Sequence, residues 1–257
     1  MDLGLRDRVV LITGGSGGSG PTLARAFAAE GAAVALHQRR PTARAATPSR
    51  AEATAAEIVA SGGRAVAVAA ELRSTEQIEA MVADVASRLG RVGVLVTATS
   101  AYSTDKFAEV KDDTWVSVVD DILGATFRTC RAVVPGLAAA GWGRIVNISA
   151  RSGLVGASRA SHYAAAKAGI VGLTVSLAKE LGPSGILVNA VAPVQIRTVK
   201  DGVPSIPEER AADLAKKIPL RRVATPDDLA SLVVWLGSGA NTFVSGETIS
   251  LTGGDQH

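Results

Sequence analysis

Short apolar runs alternate with helix-length amphipathic stretches along the whole chain, and this rhythm restricts the fold more than any other feature. The first run, Arg8 to Thr13, leads through glycine-rich Gly14 to Gly20 into helix-forming Thr22 to Glu30. Further strands are predicted over Ala33–His37, Ala65–Ala70, Val92–Thr97, Arg144–Ser149, Leu187–Val191 and Thr248–Leu251. Between them the pattern predicts helices over Ala51–Ala60, Thr75–Leu89, Asp112–Ala139, Ser161–Leu181 and Pro226–Leu236. Alternation of this kind predicts an α/β fold: a doubly wound parallel sheet of about seven strands with helices on both faces. With 257 residues, 47% of them hydrophobic, the chain is expected to form one domain over 1–257.

Composition narrows the function. The formal charge of +3 is spread along the chain without a dense basic block, so a nucleic-acid partner is not expected. Cys130 is the only cysteine, which excludes an internal disulfide, and it reads as a small buried hydrophobe. His37, His162 and His257 are too scattered for a zinc cluster, so no metal is expected. The stretch from Met1 to Arg8 carries charge and no long apolar run, so neither export nor membrane insertion is indicated, and a cytoplasmic enzyme is expected.

Two stretches carry chemistry. Tyr163 and Lys167 stand four residues apart at the start of an apolar helix, on one face. An ammonium beside a phenol favours the phenolate, so Lys167 is expected to lower the Tyr163 pKa. In the glycine-rich turn, backbone N–H groups at a helix N-terminus can approach a pyrophosphate where no Cβ intervenes. Gly14, Thr97, Ser149 and Pro193 all fall at carboxyl ends of predicted strands, where doubly wound sheets bind ligands.

Thr13-Gly14-Gly15-Ser16-Gly17-Gly18-Ser19-Gly20 and Tyr163-Ala-Ala-Ala-Lys167 together resemble the Thr-Gly-x-x-x-Gly-x-Gly and Tyr-x-x-x-Lys motifs of the short-chain dehydrogenase/reductase family. Lesser matches follow in the family's order: Gly143 to Ser149, Val188 to Pro193 and Gly246 to Gly254. The resemblance implies a Rossmann-like fold, a nicotinamide cofactor, a small-molecule substrate and assembly as a homodimer or homotetramer. It places cofactor contacts at Gly14, Ser16, Gly18 and Gly20, at Glu71 and Leu72 beside adenine, at Thr97, and at Tyr163 and Lys167. Pro193, Ile196 and Thr198 match the loop that holds the carboxamide, although Val194 replaces the usual glycine.

The end of the second strand, Leu36-His37-Gln38-Arg39-Arg40, has no carboxylate for a ribose 2′-hydroxyl. Arg39 there favours NADP(H) over NAD(H). The alternative is that Arg39, Arg40, Arg44 and Arg50 only solvate a loop, and the glycine turn lacks the basic residue that many NADP-dependent relatives carry.

The catalytic set departs from the family. Its serine position, counted back without a gap from Tyr163, is Ala150; Ser152 shares a face with that position, and Ser149 takes it if one residue is inserted. Its asparagine position, counted from Trp115, is Ile122, with Asp121 a substitute only if the helix register shifts. The family's Asn-Asn-Ala-Gly becomes Thr97-Ala98-Thr99-Ser100, with Thr97 able to supply a hydroxyl. His162 reads as a pocket-wall or helix-entry residue.

The long segment 194–223 is expected to form a substrate lid. Arg151, Arg159, Arg197 and Lys200 mark its entrance, for an acidic substrate, a carrier-bound thioester or only a solvated rim. The expected activity is reduction of a small or medium organic carbonyl, or the reverse dehydrogenation, with Tyr163 and Lys167 catalytic. The alternatives are reduction of C=N or activated C=C, or a weakened NADP-binding regulatory protein.

Overall fold

Alternate residues of the first strand, β1 (Val9–Thr13), face opposite ways: Val10 and Ile12 enter one apolar layer, Val9 and Leu11 the other. A strand buried on both faces needs cover on both, which the helices supply. The computed structural model describes residues 2–40, 48–200 and 202–255.

The first half runs α1 (Gly20–Ala29), β2 (Ala33–Gln38), α2 (Arg50–Ala60), β3 (Arg64–Ala69), α3 (Thr75–Leu89) and β4 (Val92–Thr97). Next come α4 (Asp112–Val119), α5 (Ala125–Ala139), β5 (Gly143–Ile148), the short α6 (Ser152–Val155), α7 (Ser161–Leu181) and β6 (Ile186–Pro193). A two-strand hairpin, β7 (Val199–Lys200) and β8 (Val203–Pro204), precedes α8 (Glu208–Lys217), α9 (Pro226–Leu236) and β9 (Thr248–Leu251).

Seven parallel strands pair in the order β3-β2-β1-β4-β5-β6-β9, and the winding reverses between β1 and β4. Leu23 and Phe27 of α1, Ile58 of α2 and Val233 of α9 fill one face. Ile78 and Met81 of α3, Val133 of α5 and Leu181 of α7 fill the other. Fully buried Phe27 alone stabilises the fold by roughly 3 kcal/mol. Doubly wound sheets bind ligands outside the carboxyl ends of their strands at such a reversal.

The expected strands and helices all form, with one correction. The stretch Asp112–Ala139 is two α-helices joined by a π turn over Asp120–Gly124. The bulge re-aims the residues that follow α4, as such turns do near functional sites. Arg128 of α5 reaches back to pair with Asp120 across it.

Candidate active site

The glycine turn leaves β1 at this reversal. Gly14 has φ +70°, and a Cβ there would lie 2.6 Å from the Ala98 carbonyl oxygen. At Gly20 a Cβ would come within 2.2 Å of the Gly15 oxygen, so the start of α1 sits against the turn only because no side chain intervenes. Pro21 begins the helix and Ser19 provides no side-chain cap, which leaves the helix N-terminus to other acceptors. This cradle fits a pyrophosphate. Gly18 faces the Thr198 side chain from the opposite segment. Arg39, 75% exposed, stands at the mouth 3.9 Å from Glu71.

Tyr163 and Lys167 lie one turn apart on α7. Lys167 Nζ donates to the carbonyls of Ile148 at 2.8 Å and Thr99 at 3.1 Å, pinning the helix between the ends of two strands. Burial lowers its pKa to about 7. The ammonium lies 5.8 Å from the Tyr163 ring centre, aimed at the carbonyls. The expected lowering of the Tyr163 pKa is therefore overturned: burial raises it, the Ser100 hydroxyl facing the phenol pulls it partly back, and Tyr102 adds to the rise. Tyr102 also packs edge-on against Tyr163, with ring centres 5.0 Å apart.

The segment 194–223 crosses the same edge of the sheet. Pro193 ends β6, Ile196 bridges to Ala224, and Thr198 exchanges hydrogen bonds with Ser205. Arg50 donates to the Val199 carbonyl at 3.1 Å, joining α2 to the hairpin. Arg197 pairs with Glu208, and Arg151 with Asp255 at 3.2 Å. Arg159 is an exposed turn residue with φ +63° whose carbonyl accepts from the Asp105 amide at 2.8 Å. Arg44, His257 and the Lys200 side chain lie outside the described residues.

Residues 16–255 match the family model described as Enoyl-(Acyl carrier protein) reductase. The chain is 33% identical over 252 residues to the 3-oxoacyl-[acyl-carrier-protein] reductase FabG of Pseudomonas aeruginosa, covering 98% of both chains. The chain belongs to the short-chain dehydrogenase/reductase family. Nodulation protein G of Azospirillum brasilense is similar over 97% of this chain and 98% of its own length, at 32% identity. Among solved structures, a dehydrogenase/reductase from Sinorhizobium meliloti 1021 superposes with TM-score 0.86 at 33% identity, covering 100% of this chain and 98% of that one. A gluconate 5-dehydrogenase from Burkholderia cenocepacia, in complex with NADP and tartrate, superposes with TM-score 0.88 at 25% identity over 99% and 97% of the two chains. The chain is thus an NAD(P)-dependent short-chain oxidoreductase. Among the described residues, no helix is long and apolar enough to cross a membrane.

Within this short-chain oxidoreductase, the family's serine and asparagine positions are filled by packing. Ser149 is buried and donates to the Lys167 carbonyl at 2.8 Å, bracing α7. Ala150 is buried beside it, and Ser152, half-buried, opens α6. Ile122 is fully buried in an apolar cluster with Val118, Ala166 and Ile170, against which Tyr163 packs. Asp121 is turned away and bonds Arg73 at 2.6 Å, so the π turn does not make it a substitute. The Thr97 side chain, at the end of β4, is buried. Its hydroxyl donates at 2.8 Å to buried Asn147, which donates in turn to Thr174 at 3.0 Å, so it faces the core.

Sequence reasoning missed the part played by the loop after β4. Ser100 and Tyr102 both reach Tyr163, and Ser103 lies 2.7 Å from the Nε2 atom of His162. His162 has 0% exposure, which makes it a buried helix-entry residue. The only sequence signal was negative: Ala98 to Lys106 has no strand or helix periodicity, yet it follows a central strand at the ligand edge.

Proposed function

We propose that this chain is an NADPH-dependent reductase, reversible as a dehydrogenase, acting on a small or medium organic carbonyl or the corresponding alcohol. The observation that carries the reading is a half-buried Tyr163 phenol, its pKa held above the ordinary value, with Ser100 and Tyr102 beside it and Lys167 one turn behind. The raised pKa keeps the phenol in its protonated form, the form from which it can donate in the reductive direction, while making it a weaker acid. Bound nicotinamide would supply the hydride. In this reading the backbone of Gly14, Ser16, Gly18 and Gly20 receives the pyrophosphate, Glu71 and Leu72 flank adenine, and Arg39 takes the 2′-phosphate. Pro193, Ile196 and Thr198 hold the carboxamide, while Lys167 binds ribose.

Tyr163 Oη gives its proton to the carbonyl oxygen as negative charge develops there. Ser100 is the second donor to that oxygen, a part the family assigns to the serine replaced here by Ala150. Such a donor contributes roughly 3 kcal/mol to transition-state stabilisation, about a hundredfold in rate. Lys167, with a pKa of about 7, can release and regain a proton near neutral pH. The FabG relatives and the NADP-containing gluconate 5-dehydrogenase support both the carbonyl substrate and the phosphorylated cofactor. Trp115 and Val116 of α4 and Phe127 of α5 are exposed apolar residues, which supports assembly as a homodimer or homotetramer through those helices.

One observation favours a second reading. Ile122 and Ala150 make the surroundings of Tyr163 more apolar than a carbonyl reductase requires, which suits an imine or activated alkene. NADPH oxidation against ketones, imines and enones separates the two. Ketone turnover abolished by Tyr163→Phe is the expected result. Turnover restricted to imines or enones selects the second reading, and tight NADPH binding without turnover of any class identifies a binding protein. An unchanged NADPH-to-NADH preference in Arg39→Ala defeats the cofactor assignment.

A further inference from the structure

His37, at the carboxyl end of β2, is 4% exposed and has both ring nitrogens engaged. Nδ1 lies 3.1 Å from the Gly14 amide nitrogen, and Nε2 lies 3.0 Å from the Ala70 carbonyl oxygen. An amide N–H can only donate and a carbonyl can only accept, so both bonds form only in the neutral ring with its proton on Nε2. The Gly14 N–H has little freedom to turn elsewhere. Its residue is held at φ +70° and its carbonyl accepts from the Gly17 amide at 2.8 Å. One imidazole therefore ties the first residue of the glycine turn to the end of β3.

We propose that His37 is a positioning residue of the cofactor site, a neutral clasp on Gly14 whose protonation loosens the glycine turn and weakens cofactor binding. A second ring proton on Nδ1 would point at the Gly14 N–H, replacing a hydrogen bond by two opposed donors. Four influences act on the ring besides the turn. Burial disfavours the charge most strongly; the Ala70 carbonyl bonded to Nε2 favours it, as does Glu71, following β3; Arg39, two residues along, disfavours it, and the net shift is downward. Residues Gly14 to Gly20 contribute no titratable group. The ring is thus neutral at pH 7, and the clasp opens only on acidification.

The inference rests on the glycine turn as the cofactor cradle. Its test is fluorescence titration of the wild type and His37→Asn with NADH and NADPH from pH 8 to pH 5, with the imidazole signals followed by NMR. Asparagine keeps an acceptor near the Nδ1 position and does not titrate. NADH isolates the protein's contribution, because a 2′-phosphate itself titrates near pH 6. In the wild type, NADH affinity should fall about tenfold as NMR shows His37 taking up its proton, the scale of one lost hydrogen bond. Saturating cofactor should move the His37 midpoint to lower pH, by linkage. His37→Asn should bind at pH 8 and lack the fall that tracks the His37 midpoint; any change near pH 7 from Lys167, whose pKa is about 7, is common to both proteins and cancels in their ratio.

A wild-type affinity that stays flat while His37 titrates overturns the clasp alone. So does a ring already protonated at pH 7, or one that never protonates before the fold melts. No binding of either cofactor at pH 8 overturns the cradle reading and the clasp with it. If His37→Asn fails to fold, the wild-type titration and its NMR midpoint still decide.

Discussion

Lys167 is buried at 2% exposure, and its ammonium faces two backbone carbonyls. A pKa lowered from 10.5 to about 7 corresponds to about 5 kcal/mol against carrying the charge in the folded protein. Between pH 7 and 10.5 the unfolded chain holds this proton and the folded chain releases it, so folding becomes more favourable as pH rises. From pH 7.5 to 9 the gain should be about 2 kcal/mol. Urea unfolding of the wild type and Lys167→Met at half-unit pH intervals reads it directly, with the wild type rising relative to the variant. Cys130 pulls the other way at the top of the interval, because burial raises its thiol from 9.0 to about 12. It does so equally in both proteins, and the difference isolates Lys167. If both proteins show the same pH slope, or if the wild type loses stability relative to the variant, the argument for a lysine ionising near neutrality is wrong.

Ser100→Ala should lower kcat for ketone reduction by about a hundredfold with KM little changed, since the lost donor acts mainly on developing charge; steady-state kinetics on the best ketone checks this. Asn147→Leu leaves the Thr97 and Thr174 hydroxyls without their partner in the core, and denaturant titration should show a loss of about 2–4 kcal/mol. Gly20→Ala drives a methyl group into the Gly15 carbonyl, and calorimetry should find cofactor binding weakened at least tenfold even where the fold survives.

The period of the apolar residues was enough to locate every strand of the main sheet and the helices that cover it, because strand and helix repeats are local properties of the chain. The glycine spacing and the Tyr163–Lys167 spacing were legible for the same reason: each lies within one turn or one helix. The break at Asp120 was not, since a π turn adds one residue without disturbing an amphipathic pattern that reads as continuous. The raised Tyr163 pKa escaped too. Helix geometry puts the ammonium on the phenol's face, but Ile148 and Thr99, from separate strand ends, draw Lys167 Nζ to their carbonyls.

By itself the sequence determined a doubly wound parallel sheet, a glycine turn shaped for a dinucleotide, and a tyrosine–lysine pair at its edge. Only the tertiary structure decided which side chains surround that tyrosine. Ser149 turns inward to brace the Lys167 carbonyl, Ala150 and Ile122 close the neighbouring space, and Ser100 arrives from a loop more than sixty residues earlier in the chain. Such contacts depend on strand ends and loops distant in sequence meeting at one sheet edge, and no local repeat encodes that meeting.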